Sequence, residues 1–64
     1  MTLADFMKAA DLKDTDFAER IGMDRTFVSR LRRGLVKPSI KTVVAIERAT
    51  GGAVKARDFV EEGA

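Results

Sequence analysis

The 64-residue chain contains no cysteine and no histidine. Without cysteine there is neither a disulfide framework nor a thiolate metal site, and without histidine a zinc finger is excluded. The same two absences remove the familiar general base and thiol nucleophile of enzymes. Tyrosine and tryptophan are missing as well, and the few aromatics are four phenylalanines, so aromatic platforms on which unpaired RNA bases would stack are scarce. No apolar run approaches the roughly 18 residues of a membrane span. The opening Met1-Thr2-Leu3-Ala4-Asp5 lacks the basic stretch and apolar core of a signal peptide. The expectation is a soluble, cytoplasmic protein. Carboxylates are plentiful but scattered on expected outer faces, a chain this short can hardly enclose a substrate pocket, and neither a phosphate loop nor metal-ligand spacing occurs. An enzyme, a metal and a cofactor are therefore not expected.

What is present suits one small helical domain spanning residues 1–64. Apolar residues make up 45% of the chain, enough for a folded globule. A chain of this size buries only about 60% of its unfolded surface, so it depends on an efficiently packed core, helped by dimerisation.

Charge is distributed unevenly. Residues 20–41 contain Arg20, Arg25, Arg30, Arg32, Arg33, Lys37 and Lys41 against Asp24 alone, while the remainder holds five basic and nine acidic residues. A locally basic segment in a near-neutral chain is the footprint of a polyanion-binding face. A solvated surface helix is the plainer reading, but it leaves the near absence of acidic residues unexplained.

Helical periodicity and stop signals divide the chain into four or five short helices. Thr2 with Asp5 resembles a capping box, and Leu3, Phe6, Met7 and Ala10 form one face of a helix ending near Asp11. Leu12 then turns into the core. Asp14 or Thr15 caps a second helix, about 14–22, with Phe17, Ala18 and Ile21 facing inward. Gly22 ends it in the left-handed conformation. After Met23, Asp24 is again an N-cap residue. A third helix follows over about 25–33, with Val28 and Leu31 inward and Gly34 as its stop. Leu35-Val36-Lys37-Pro38 is a loop, because proline disfavours helix in the residue before it. Ser39 caps a fourth helix, Ile40 to about Thr50, with Ile40, Val43, Val44 and Ile46 as its apolar set and Gly51-Gly52 as its end. Several of these are β-branched, so a strand competes, but the spacing and the cap favour helix. In the tail, Val54 and Phe59 can pack onto the core across a short turn of helix at Ala56–Val60.

The informative unit is Phe17 to Leu31. Two short helices joined by a turn containing glycine cross at a steep angle. A small Ala18 suits close approach, and Met23, Val28 and Leu31 weld the pair. The outer face and N-terminus of the third helix are then left to project. Such a helix fits the B-DNA major groove, where N-terminal side chains meet base edges. Arg25 and Thr26 occupy its first turn and Ser29 and Arg30 the next. Arginine can bond guanine O6 and N7 together, and serine or threonine can bond several base edges. Arg20, Arg32, Arg33, Lys37 and Lys41 suit phosphates, which supply affinity and little sequence information. Phe27 packs against helix four or touches a thymine methyl, and the core is the preferred place.

Phe17-Ala18, Gly22-Met23-Asp24, Val28-Ser29-Arg30-Leu31, Gly34 and Lys37-Pro38-Ser39 stand in an order and spacing that resemble the helix-turn-helix domains of the phage repressor and Cro type. The resemblance covers roughly Leu12 to Thr50. Ile46 to Val54 looks like the Cro-like/YdaS subgroup of prophage regulators. It implies an all-α, lambda repressor-like bundle of about five short helices. It also implies a homodimer on a short palindromic operator, base contacts from Arg25, Thr26, Ser29 and Arg30, and a transcriptional regulator, a repressor of prophage or antitoxin type. One departure is Asp14, which stands where the family often has a phosphate-binding glutamine. A carboxylate there would repel phosphate, so Asp14 is read as a cap.

Other readings stand beside these. Arg32 and Arg33 could simply complement the helix dipole, Arg30 could pair with Glu47, and Ser29 and Lys41 could be exposed without a role. The rival for the whole chain is a protein-interaction module, an antitoxin or regulator partner. Its face would use Asp58, Glu61 and Glu62 with Leu35, Val36 or Val60.

Overall fold

A computed structural model describes residues 1–59. Four α-helices run in order, α1 (Leu3–Ala9), α2 (Asp14–Ile21), α3 (Arg25–Arg32) and α4 (Ile40–Ala49), followed by a 3₁₀ turn at Ala56–Phe59. The described residues contain no strand, so the all-α expectation holds. The boundaries of α2 and α3 fall within a residue of those expected. The expectation for Val60 lies outside the described residues.

Each helix stops by the same device. The residue after the last turn adopts a left-handed conformation, and the next N–H reaches back to a carbonyl five residues earlier. In α2 the residue is Gly22 (φ 68°), and Met23 N–H donates to the Ala18 carbonyl at 3.0 Å. In α3 it is Gly34 (φ 75°), with Leu35 N–H donating to Arg30 O at 2.9 Å. α1 uses Asp11 (φ 54°) rather than a glycine, with Leu12 N–H donating to Met7 O at 2.9 Å. Aspartate is among the few side chains that enter this region at modest cost. Leu12 and Met23, the residues that follow, fold back against the core.

Helix starts required two corrections. Thr2 and Ser39 cap as expected, accepting from Asp5 N–H (3.1 Å) and Thr42 N–H (3.3 Å). The N-cap of α2, however, is Lys13, whose N–H donates to the Asp16 carboxylate at 3.1 Å. Asp14 is the first helical residue, and its carboxylate is engaged elsewhere. Asp24 does occupy the N-cap position of α3, but its side chain accepts no capping bond.

The core is built from every element. Phe17, Val28, Ile46 and Val54 are fully buried, joined by Leu3, Met7, Ala18 and Leu31. Phe6 meets Phe17 edge to face at 6.4 Å between ring centres. Phe27, Val36 and Phe59 pack partly buried against this cluster, so Phe27 takes its expected core role and Val36 leaves the set of exposed apolar residues.

In α4 the expected inner face is only partly right. Ile46 is buried, but Ile40 is 84% exposed and Val44 40% exposed, while Thr42 and Thr50 are buried. The stripe through Ile40 and Val44 would carry Glu47 and Arg48 inward one turn later. The stripe through Thr42, Ile46 and Thr50 buries only hydroxyls, which the helix itself satisfies. Thr42 Oγ1 lies 3.1 Å from Ser39 Oγ. Thr50 Oγ1 donates to Ile46 O at 2.9 Å and accepts from Val54 N–H at 3.2 Å. Burying a satisfied hydroxyl costs far less than burying a charge. The Thr50 bridge also ties the tail to α4 and seats Val54 in the core.

Candidate nucleic-acid interface

α2 and α3 pack on each other through Phe17, Ala18, Val28 and Leu31, with the left-handed Gly22 turning the chain between them. With Val28 and Leu31 inward, helical geometry puts positions 25, 26, 29, 30 and 33 on the opposite side. Arg25, Thr26, Arg30 and Arg33 are exposed there and Ser29 is half-buried. α3 has no acidic residue in its first turn.

These five residues form one wall of a shallow depression, and Lys13, Asp14 and Thr15 at the start of α2 form the other. Four cations line it against a single carboxylate, that of Asp14. The two ion pairs among the described residues are Met1–Asp58 and Arg32–Asp14. Arg25, Arg30 and Arg33 therefore have no protein counter-ion among the described residues. Glu47 does not pair with Arg30; its carboxylate accepts from Ala56 N–H at 3.3 Å.

The residues expected at phosphates are spread more widely. Arg33 shares the depression with the expected base-contacting set. Arg33, Arg32 and Lys37 border a second hollow, floored by Leu31, Val36 and Phe59. Arg20, in the last turn of α2, and Lys41, in the first turn of α4, are exposed and outside both hollows. Arg32 is the exception to an open basic surface. Its Nε donates to Asp14 Oδ1 at 2.8 Å and its Nη2 to Oδ2 at 3.2 Å. The hydrogen bond to Asp14, and then the attraction between the charges, raise its already high pKa. Asp14 is thus an ion-pair partner and not a cap.

Lys13 and Thr15 were not among the expected site residues. Their signal was geometric: the start of α2 lies against the outer side of α3, which is visible only once the two helices are docked. Arg33 could have been grouped with the base-facing set from the sequence, since it lies four residues beyond Ser29 and seven beyond Thr26.

A helix-turn-helix family model matches residues 3–54, covering all four helices and Val54. No curated protein and no solved structure matches the chain. No helix among the described residues is long and apolar enough to cross a membrane.

Proposed function

The chain belongs to the XRE-type helix-turn-helix family, a family of DNA-binding transcription regulators, and on that premise we propose that it is a sequence-specific repressor of the Cro-like kind that inserts α3 into the major groove of duplex DNA. The observation that carries this reading is the two-sidedness of α3. One side is locked into the core by Val28 and Leu31, and the other presents Arg25, Thr26, Ser29 and Arg30 together around an open, cationic depression. These four side chains would read base edges, with the arginines suited to guanine. Arg20, Arg33, Lys37 and Lys41 would hold phosphates. Arg32 is withdrawn from that group, because Asp14 already occupies its donors.

A single helix in one groove makes few contacts, so the active form is proposed to be a homodimer reading two half-sites about 34–36 Å apart. Selection of bound sequences from a pool of random duplexes tests both statements. The expected product is a palindrome bound with a steep salt dependence, with a log–log slope near −0.9 for each phosphate neutralised. No enrichment, together with no duplex binding at low salt, would remove the DNA reading.

A second reading, a protein-interaction module of antitoxin type, is favoured by one feature. Leu35 is 61% exposed, and it joins Ile40 and Val44 as large apolar side chains in solvent. Of the face first assigned to that role, Val36 is packed inward, Asp58 holds the N-terminal amine, and Val60, Glu61 and Glu62 lie outside the described residues. Failure to bind any duplex, alongside a saturable complex with a protein partner, would favour this reading.

A further inference from the structure

Two adjacent arginines at the end of α3 stand in opposite circumstances. Arg33 is exposed and opens onto both hollows. Arg32 is half-buried; it borders the second hollow beside Arg33 and also a third concavity, shared with Met7 and Lys8 of α1 and with Leu12. There it meets Asp14, 18 residues away in sequence, through two parallel bonds of 2.8 and 3.2 Å. Such a fork-to-carboxylate match fixes the plane of the guanidinium as well as neutralising it. The strap runs from the first residue of α2 to the last of α3.

Asp14 also borders the basic depression in front of α3, where it is the only carboxylate. Arg32 itself borders the second hollow with Arg33 and Lys37, and a phosphate approaching there meets a neutral pair where the sequence alone would place a third free cation. The pair is partly open to solvent, with the two side chains 37% and 27% exposed, so a released Arg32 would present its charge at the surface.

We propose that Asp14 is a positioning residue that restrains the grip of this protein on any duplex, by holding Arg32 against the α2–α3 junction and so withholding one phosphate contact. The proposal rests on the DNA-binding reading. A phosphate contact carries no sequence information, so the restraint lowers affinity for operator and random DNA alike and leaves their ratio unchanged. In a two-fold dimer it acts once per half-site.

The test compares wild type, Asp14→Asn and the double variant Asp14→Asn/Arg32→Gln by salt titration of binding to the enriched operator and to a random 20-base-pair duplex. Asp14→Asn keeps the shape but gives up the charge that holds Arg32. It should steepen the log–log slope on both duplexes by about 0.9 per protomer, which is roughly eightfold tighter binding at 0.1 M salt relative to 1 M. The double variant replaces a neutral pair with a neutral pair and should return the slope to that of wild type. A merely structural role for the pair would weaken binding in the single variant and leave its slope no steeper.

A slope in Asp14→Asn equal to or flatter than that of wild type overturns the proposal. So does a double variant flatter than wild type by about 0.9, because Arg32 would then already sit on a phosphate. If the single variant unfolds, the double variant, whose two amides can still bond each other, still overturns the proposal should its slope be flatter than that of wild type. Wild-type protein without salt-dependent duplex binding would overturn the DNA reading itself. That outcome is distinct from a binding wild type with an unresponsive Asp14 variant.

Discussion

α3 and α4 start from similar material and finish with opposite surfaces. Neither has an acidic residue in its first turn, each ends near arginine, and each buries two side chains. α3 hides Val28 and Leu31 and shows arginine, threonine and serine. α4 hides Thr42 and Ile46 and shows Ile40 and Val44. The comparison separates two reasons for a side chain to be outside. On α4, Ile40 and Val44 are outside because the alternative rotation would bury Glu47 and Arg48. On α3 no such compromise is needed, since its polar face follows directly from the burial of the apolar one. An uncompromised face crowded with unpaired cations is the more informative of the two about a ligand.

The sharpest way to break this comparison is to delete the same side chain from each environment. Ile46→Ala empties a fully buried site, and isoleucine truncations of this kind cost about 2–5 kcal/mol. A core of this size seldom supplies more than about 3–5 kcal/mol in total, so the variant should be largely unfolded at room temperature by circular dichroism. Ile40→Ala, from a site 84% exposed, should move stability by no more than about 0.5 kcal/mol. A larger loss at Ile40 that grows with protein concentration would mean that a second copy covers α4, and its open face would be a dimer surface.

The next contrast lies within the basic segment. Arg25→Ala or Arg30→Ala should lower affinity for the selected operator by about 1–3 kcal/mol while affecting random duplex less. Lys37→Ala should weaken both equally and flatten the salt slope by about one phosphate. Competition titrations with the two duplexes measure this. Equal losses on both for Arg25 and Arg30 would move these arginines from base edges to backbone.

The turn that presents α3 is tested at Gly22. A Cβ there would meet nothing within 4 Å, yet φ is +68°, so the cost of a substitution is backbone strain alone. Gly22→Ala should lose about 1–2 kcal/mol and Gly22→Val more, because a branched side chain is a stronger outlier at positive φ. Thermal melts that leave Gly22→Val unchanged would show that the turn relaxes to another conformation.

The helix-turn-helix itself was legible because its signals are local. Apolar spacing, glycine stops and the Ser39 cap act within a turn or two of the residues they control, and they placed α2 and α3 to within one residue. What escaped was pairwise and distant. Asp14 looks like a capping residue in one dimension, and only the docking of α2 on α3 brings Arg32 to it across 18 positions. The rotation of α4 was hidden for a related reason. The spacing of Ile40, Val43, Val44 and Ile46 fits more than one stripe; keeping Glu47 and Arg48 out favours the observed one, and its burial of Thr50 is made tolerable by the bond to Val54 beyond the end of the helix. The grouping of Arg25, Thr26, Ser29 and Arg30 needed only helical geometry. Lys13 and Thr15 enter that neighbourhood through tertiary contact.

The smallest effect concerns the closure of the tail on the N-terminus, a second contrast with the self-contained α2–α3 pair. Asp58 accepts from Lys55 N–H at 2.8 Å and from the N-terminal amine at 3.2 Å. Its pKa is lowered, first by the Lys55 bond and then, against a desolvation that opposes it, by the N-terminal bond and charge and by Arg57. A carboxylate with a lowered folded pKa contributes stability that is complete above its unfolded value, about 3.9 for aspartate, and that fades as pH falls through the folded value. Wild type should therefore melt slightly above Asp58→Asn at pH 6, with the gap narrowing as pH falls below about 4. Because the amine end of the pair is open to solvent, 1 M salt should reduce the gap at pH 6. A gap that instead widened toward low pH would mean that the carboxylate is better satisfied protonated, and the Lys55 and N-terminal contacts would not be what holds the 3₁₀ turn in place.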